Sequence, residues 1–318
     1  MHHKLMLMRT TARTAAIGAV IVLGSTAAAQ GAMARPVRGG AVPVPCNTPA
    51  LISAIAGAGS GEKLHLAFGC TYRLTAPLPD IDTGLTIAGF GATLERSEAA
   101  GTPDFTILTV AAGDVNLSDV NFRNGGGIND GGESLYTGAI DNKGGNITVL
   151  GGTFTGNNGG AITNGSGTLT VTSAHFIQNT AGGGGAITND ATMTLRSSHF
   201  YGNSARSGGA IYNTGIATVI GTTFIENAAL TGGALYNNGR AALSSVTIKN
   251  NTAELVYGGG IVNDGTLIVA SSNIVDNTTR DEGGGIYNAG RVALSRTKVS
   301  GNTPDNCYPV GTIAGCSG

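Results

Sequence analysis

The chain has 318 residues, with 18 Lys and Arg against 19 Asp and Glu, a net charge of −1 and only 12% charged residues. That balance excludes the basic stripe of a nucleic-acid binder and any long acidic tail. Glycine is abundant, at 53 residues, but the glycines return at fixed intervals and so punctuate a repeat, unlike the composition of a linker.

Lys4, Arg9 and Arg13 precede an apolar run, Ala15–Gly24, and two small-residue cleavage patterns follow at 27–29 and 32–34. Residues 1–34 therefore read as a secretory signal peptide. The run is too short for an ordinary spanning helix, and no later segment is long and apolar enough to cross a bilayer. The mature chain is expected to be secreted, extracellular or associated with the cell surface. Export makes disulfides expected. Cys46 and Cys70 flank the start of the repeats; Cys307 and Cys316 follow their end. Of the three possible pairings the local one, 46–70 with 307–316, is preferred, because the two pairs should lie at opposite ends of the array.

Residues 35–62 read as a leader and an N-terminal cap. Residues 35–45 carry three prolines and two glycines and should be extended. Ala50–Ala56 is an amphipathic run with Thr48 at the N-cap, Pro49 at the first helical position and Gly57 and Gly59 as stop signals. Such a helix would cover strand edges that the end of a repeat array leaves bare. Over 63–136 come short β-like runs, Lys63–Ala67, Thr71–Thr75, Leu85–Ala88, Thr93–Arg96, Thr106–Val110 and Val115–Phe122, read as irregular first coils. Gly125–Thr137 is an insertion that stretches the interval from Phe122 to Phe154 to 32 residues.

Residues 137–302 are regular. Seven hexads, TGAIDN, GGAITN, GGAITN, GGAIYN, GGALYN, GGGIVN and GGGIYN, start at Thr137, Gly159, Gly184, Gly208, Gly232, Gly258 and Gly283, at spacings of 22, 25, 24, 24, 26 and 25. A second anchor starts at Phe154, Phe176, Phe200, Phe224, Ile248, Ile274 and Val299. Positions five and seven before it are apolar in every copy, as in Val149/Ile147 and Val219/Ala217. Spacing by two places these side chains on one strand face. Self-similarity at this period means a solenoid. Its Thr-, Val-, Ile- and Gly-rich runs are too short for helices, which rules out a leucine-rich repeat. The expectation is an all-β, single-stranded parallel β-helix of about nine or ten coils, each with about three strands, on the order of 45 Å long at the spacing of paired strands. Two asparagine rows, one from Asn142 to Asn288 and one from Asn157 to Asn302, suit stacked amide ladders at the turns. Residues 303–318 would form a disulfide-closed C-terminal cap.

The paired GGAI and FxxN tetrapeptides, as in Gly208–Ile211 and Phe224–Asn227, resemble the polymorphic outer-membrane-protein repeat of bacterial surface and secreted proteins. The resemblance covers residues 137–302 and implies a right-handed β-helix of pectin-lyase-like shape. The last three copies drift, with Ile or Val replacing Phe. Members of that type often end in a translocating barrel, for which the 16 residues after Asn302 do not suffice.

Polysaccharide lyases and hydrolases share that shape, so catalysis needs testing. Glycoside hydrolysis takes two carboxyl groups flanking one bond. Asp190 and Asp264 both follow a ladder Asn, but three coils apart they are roughly 14 Å from each other, too far for either glycosidase geometry. Arg280, Asp281 and Glu282 read as a solvated turn. His175 and His199 take the same outward position in adjacent coils, with no third metal ligand evident. No catalytic, cofactor or metal residue is assigned. Tyr212, Tyr236 and Tyr287 share one outward hexad position, interrupted by Val262, and are the candidate ligand contacts. Thr148, Thr170, Thr194 and Thr218 form another outward row that suits a sheet and needs no ligand. The loops at 229–231, 253–257 and 279–282 vary most, as a binding side does. Function reads as a non-catalytic surface protein with a structural, adhesive or recognition role and polysaccharide or cell-surface matrix partners; the alternative is a polysaccharide-binding or polysaccharide-degrading extracellular protein.

Overall fold

The computed structural model describes residues 40–126, 129–130, 133–134 and 137–316. The expected export signal lies outside them. The described chain is a parallel β-solenoid of about 11 turns, with one helix.

Each coil pairs with the next in parallel and in register. One ladder begins at Val42–Val44 and ends at Arg291–Ser295, passing through Asn146–Leu150, Thr168–Thr172, Thr192–Arg196 and Ile216–Ile220 on the way. A second runs from Thr71–Leu74 to Lys298–Ser300. Leu85–Arg96 and Asp114–Arg123 run through both ladders, so the two belong to one sheet of 19 strands. A separate sheet of 9 strands carries the hexads, from Leu108–Val110 to Cys307–Tyr308, and a sheet of 4 short strands joins the later loops. Asn129–Asp130 and Glu133–Ser134 form an antiparallel pair inside the insertion.

Two expectations need correcting. The coil number exceeds nine or ten because Val42–Val44, read as leader, is the first strand and pairs with Leu64–Leu66. Proline lacks an N–H and is tolerated on an edge strand, which is where Pro43 stands. The helix spans Thr48–Ala56, and its N-cap is Asn47, not Thr48. The Asn47 side chain accepts from the Ala50 N–H at 2.8 Å, leaving the Thr48 hydroxyl to donate to the Arg73 carbonyl at 2.8 Å. Leu51 and Ile55 are the helix's buried side. Phe122 is in register with Phe154 across the insertion.

The interior is built of columns. Phe122, Phe154, Phe176, Phe200 and Phe224 stack at centroid distances of 5.1, 4.9, 4.5 and 4.8 Å, and Ile248, Ile274 and Val299 continue the column. Stacked aromatic pairs are worth about 0.5–1.5 kcal/mol each beyond their burial. Beside them run two buried amide ladders. Asn203 donates its side-chain N–H to the Asn227 side-chain oxygen at 2.9 Å, and the Asn203 backbone N–H donates to that same oxygen at 3.0 Å. Asn227 does the same to Asn251 at 2.9 and 2.9 Å. In the other ladder Asn189, Asn213 and Asn237 pass one bond each at 2.7, 2.8 and 2.7 Å. Each amide thus satisfies groups that a turn would otherwise strand away from water.

The coil turns sharply at residues in the left-handed region. Ser197, Ser245 and Ser271 hold φ of 48°, 55° and 51° at one corner, and Glu226, Asn250 and Asp276 hold 55°, 55° and 56° at the next. The third corner is tighter. Gly208 has φ of 65°, and a Cβ on Gly209 would stand 2.2 Å from the Gly233 carbonyl oxygen. The first glycine is needed for its conformation and the second for close approach of the next coil.

Cys46–Cys70 and Cys307–Cys316 are disulfide-bonded. The loop closed by Cys46–Cys70, with a sequence separation of 24, implies that a Cys46→Ala/Cys70→Ala variant loses about 3 kcal/mol in urea denaturation. Asn227→Ala removes the acceptor of two buried donors and should cost about 2–4 kcal/mol. Thr218→Ala, on the outer face of the same coil, should stay within about 0.5 kcal/mol of the parent.

Candidate functional site

The hexad sheet presents one outward residue per coil. In register the row reads Thr109, Asp141, Thr163, Thr188, Tyr212, Tyr236, Val262, Tyr287 and Tyr308. It is polar in the first coils and aromatic in the last ones. Tyr212 and Tyr236 stack at 5.3 Å, and Tyr287 and Tyr308 at 5.5 Å. Tyr257 reaches in from the preceding loop and stacks on Tyr287 at 4.3 Å. The three tyrosines expected from the repeat therefore belong to a band of five. They fall into two stacks, Tyr212 with Tyr236 and Tyr257 with Tyr287 and Tyr308, on either side of Val262, which is only 3% exposed.

A ring stacked on its neighbours spends its faces on them and offers solvent its edge and hydroxyl. The Tyr236 hydroxyl donates to the Asp264 carboxylate. Burial, and then that bond, push the Tyr236 phenol well above its ordinary value. Tyr287 is raised by burial first and then by Tyr257 and Glu282. Tyr308 is raised mainly by the Glu282 charge. Arg280 and Asp281 are exposed, as a solvated turn requires, while Glu282 is half-buried; the parallel bridge between Tyr257 and Glu282 places it one coil along from the tyrosine.

Tyr308 was not singled out from the sequence, whereas Tyr257 and Glu282 lie in the variable loops at 253–257 and 279–282 expected on a binding side, without being named as contacts. Tyr308 follows Asn306-Cys307, which lacks the paired glycines that mark a hexad, so nothing in the repeat alignment points to it. Tyr257 had a weaker signal: it ends a variable loop immediately before a glycine pair.

Asp190 and Asp264 do not converge. Asp190 accepts from the Thr214 hydroxyl at 2.6 Å and Asp264 from Tyr236. Burial raises Asp141, an effect opposed by Lys143 at 3.6 Å. Among the described residues no group of three or more His, Cys, Asp or Glu could hold a metal ion.

His175 and His199 stack at 5.0 Å with their planes 14° apart. His199 Nδ1 lies 2.7 Å from the Thr223 hydroxyl. Burial first, and then the His175 charge, lower the His199 imidazole below its ordinary value. NMR titration should place the His199 midpoint below about 6.5, and His175→Gln should move it upward. The folded state resists this proton more than the unfolded chain does. The site's contribution to stability is therefore full above about pH 6.5 and declines as the pH falls from there through the folded midpoint.

Residues 197–214 match the model of the Chlamydia polymorphic membrane protein (Chlamydia_PMP) repeat. They run from the corner residue Ser197 through Phe200 and the glycine pair to Tyr212 and Thr214. No curated protein and no solved structure matched the chain. The chain thus carries a repeat of the polymorphic membrane protein kind on a parallel β-solenoid.

Proposed function

We propose that this protein is a secreted or surface-associated, non-catalytic recognition module whose contact face is the tyrosine band. The observation that carries the reading is the band itself, four tyrosines presented by an in-register sheet and a fifth, Tyr257, from a loop, in two stacks. Tyrosine suits such a surface. It offers a large amphipathic contact with few rotatable bonds, so little ordering entropy opposes binding. Here the rings are further held by stacking, and Tyr236 by Asp264. The two disulfides suit an oxidising compartment. Among the described residues no helix is long and apolar enough to cross a membrane. The repeat match supports surface association.

The favoured ligand class is an extended polysaccharide. The row runs along the solenoid axis with one position per coil, about 4.8 Å, and tyrosine fills four of its last five positions. An extended peptide, with about 3.3 Å per residue, falls out of step with that repeat, whereas a chain of hexose rings advances by nearly one coil per ring. On a glycan array the mature protein should retain a defined set of polysaccharides. Tyr236→Ala/Tyr287→Ala should weaken that binding at least tenfold, the loss of about 1.4 kcal/mol, while Thr194→Ala on the threonine face leaves it unchanged. Retention equal to the parent in the tyrosine variant would remove the band from the binding site.

A further inference from the structure

We infer that the C-terminal edge of the 19-stranded sheet is a docking site for an extended acidic peptide, which pairs with Arg291–Ser295 and Lys298–Ser300 in the place of a further coil. The site belongs to a different sheet from the tyrosines and does not rest on the reading of the band.

The three parallel sheets end differently. The hexad sheet closes on Cys307–Tyr308, which pairs with Ile286 and Tyr287. The short loop sheet continues into a bridge between Thr278 and Thr303. The 19-stranded sheet has no such closure. Arg291–Ser295 pairs only with Thr266–Ala270, and Lys298–Ser300 only with Asn273–Val275. Among the described residues no backbone hydrogen bond joins 303–316 to 291–301.

The last coil therefore lacks a partner for its outer side. The Arg291 N–H reaches back to the Gly265 carbonyl at 2.8 Å, and the Lys298 N–H to the Ser272 carbonyl at 2.9 Å. Alternate residues of a strand serve opposite neighbours, so Val292 and Leu294 direct their backbone groups away from the solenoid. The corners show the same loss. The Ser271 N–H donates forward to the Ser295 carbonyl at 2.9 Å, and the Asp276 N–H to the Ser300 carbonyl at 3.3 Å. Their counterparts, Arg296 and Gly301, have no following coil to donate to. Side chains repeat the pattern. Leu267 and Val269 are 0% exposed, whereas Val292 and Leu294 hold the same positions and are only half-buried. An added strand supplies acceptors for the free N–H groups and covers both side chains, as in other strand-addition complexes.

Charge selects the strand. Arg291, Arg296 and Lys298 are exposed along this edge. None of them belongs to an ion pair among the described residues. The carboxylates at the matching turns of the preceding coil are already engaged, Asp264 by the Tyr236 hydroxyl and Asp276 by Lys249 at 3.7 Å. Cations on an edge oppose pairing with a second copy of the same edge. The same cations are complementary to a strand whose outward residues are Asp or Glu. The occupant is thus an extended segment with apolar residues over Val292 and Leu294 and carboxylates between them. The opposite end of the solenoid is protected in another way, by Pro43 in its first strand and by the helix Thr48–Ala56.

The test uses the full chain and three labelled peptides of equal length. In the first, valine alternates with glutamate; in the second, valine alternates with lysine; the third has the composition of the first with its valines and glutamates in separate blocks. Affinity is read by fluorescence anisotropy and edge pairing by amide hydrogen exchange. The first peptide should bind at least about tenfold more tightly than either of the others, with a preference over the second that shrinks in added salt. It should slow exchange at the Arg296 and Gly301 amides at least about tenfold. Arg291→Glu/Arg296→Glu/Lys298→Glu changes only exposed side chains and should reverse the preference, taking the lysine peptide in place of the glutamate one. No binding of the first peptide overturns the inference, and so does equal binding of the block peptide. Binding that leaves the Arg296 and Gly301 exchange unchanged overturns the edge as the site. Protection of those amides in the chain alone, with a doubled mass in ultracentrifugation, makes a second copy the occupant and overturns the acidic peptide.

Discussion

Every other feature depends on one constraint: a residue in one coil must meet its counterpart in the next. Strand side chains alternate between faces, so a slip of one residue would turn Phe200 and Val219 outward and bring His199 and Thr218 in. The amide ladders enforce the match. Asn203 binds the Asn227 oxygen through both its backbone and its side-chain N–H, and no neighbouring residue can substitute in that geometry. The sequence separation between ladder partners nevertheless varies from 22 for Asn157–Asn179 to 26 for Asn251–Asn277. The difference is absorbed between the ladder asparagine and the following glycine pair. Loops there lengthen without disturbing the columns, and this is the stretch that supplies Tyr257 and Glu282.

The fold was legible because its causes are periodic. Phe154, Phe176 and Phe200 occupy the same place in each copy, and so do the apolar pairs and the glycine pair that requires both a left-handed turn and a close approach. What escaped the reading was either aperiodic or at an end. Val42–Val44 has no hexad, contains Pro43 and is followed by Pro45, so its pairing shows only once Leu64–Leu66 is beside it. The capping role of Asn47 over Thr48 turns on which of two adjacent side chains faces the Ala50 N–H, and sequence preference does not separate the two.

The candidate site was half legible for the same reason. Tyr212, Tyr236 and Tyr287 stand in the repeat, and alignment finds them. Tyr257 and Tyr308 enter the same band from a loop and from a final strand without paired glycines, and Glu282 joins it through the fold of a turn. Their convergence is a tertiary fact. The arrangement also changes what the tyrosines can do. Read as isolated outward rings, they suggest stacking against a sugar face. Stacked on each other, they present edges and oxygens, so the proposed recognition along the band would rest on hydrogen bonding and charge.

The amide ladders have a direction. In both, the side-chain N–H of one coil points to the oxygen of the next coil toward the C-terminus. Joining two copies end to end would continue the ladders only head to tail, a heterologous contact that does not close on itself and generates filaments. The helix Thr48–Ala56 packs at one end of the solenoid, and Asn306 with the Cys307–Cys316 loop takes up the last rung at the other. These two small elements oppose unlimited polymerisation of a structure whose interior would otherwise accept another coil indefinitely.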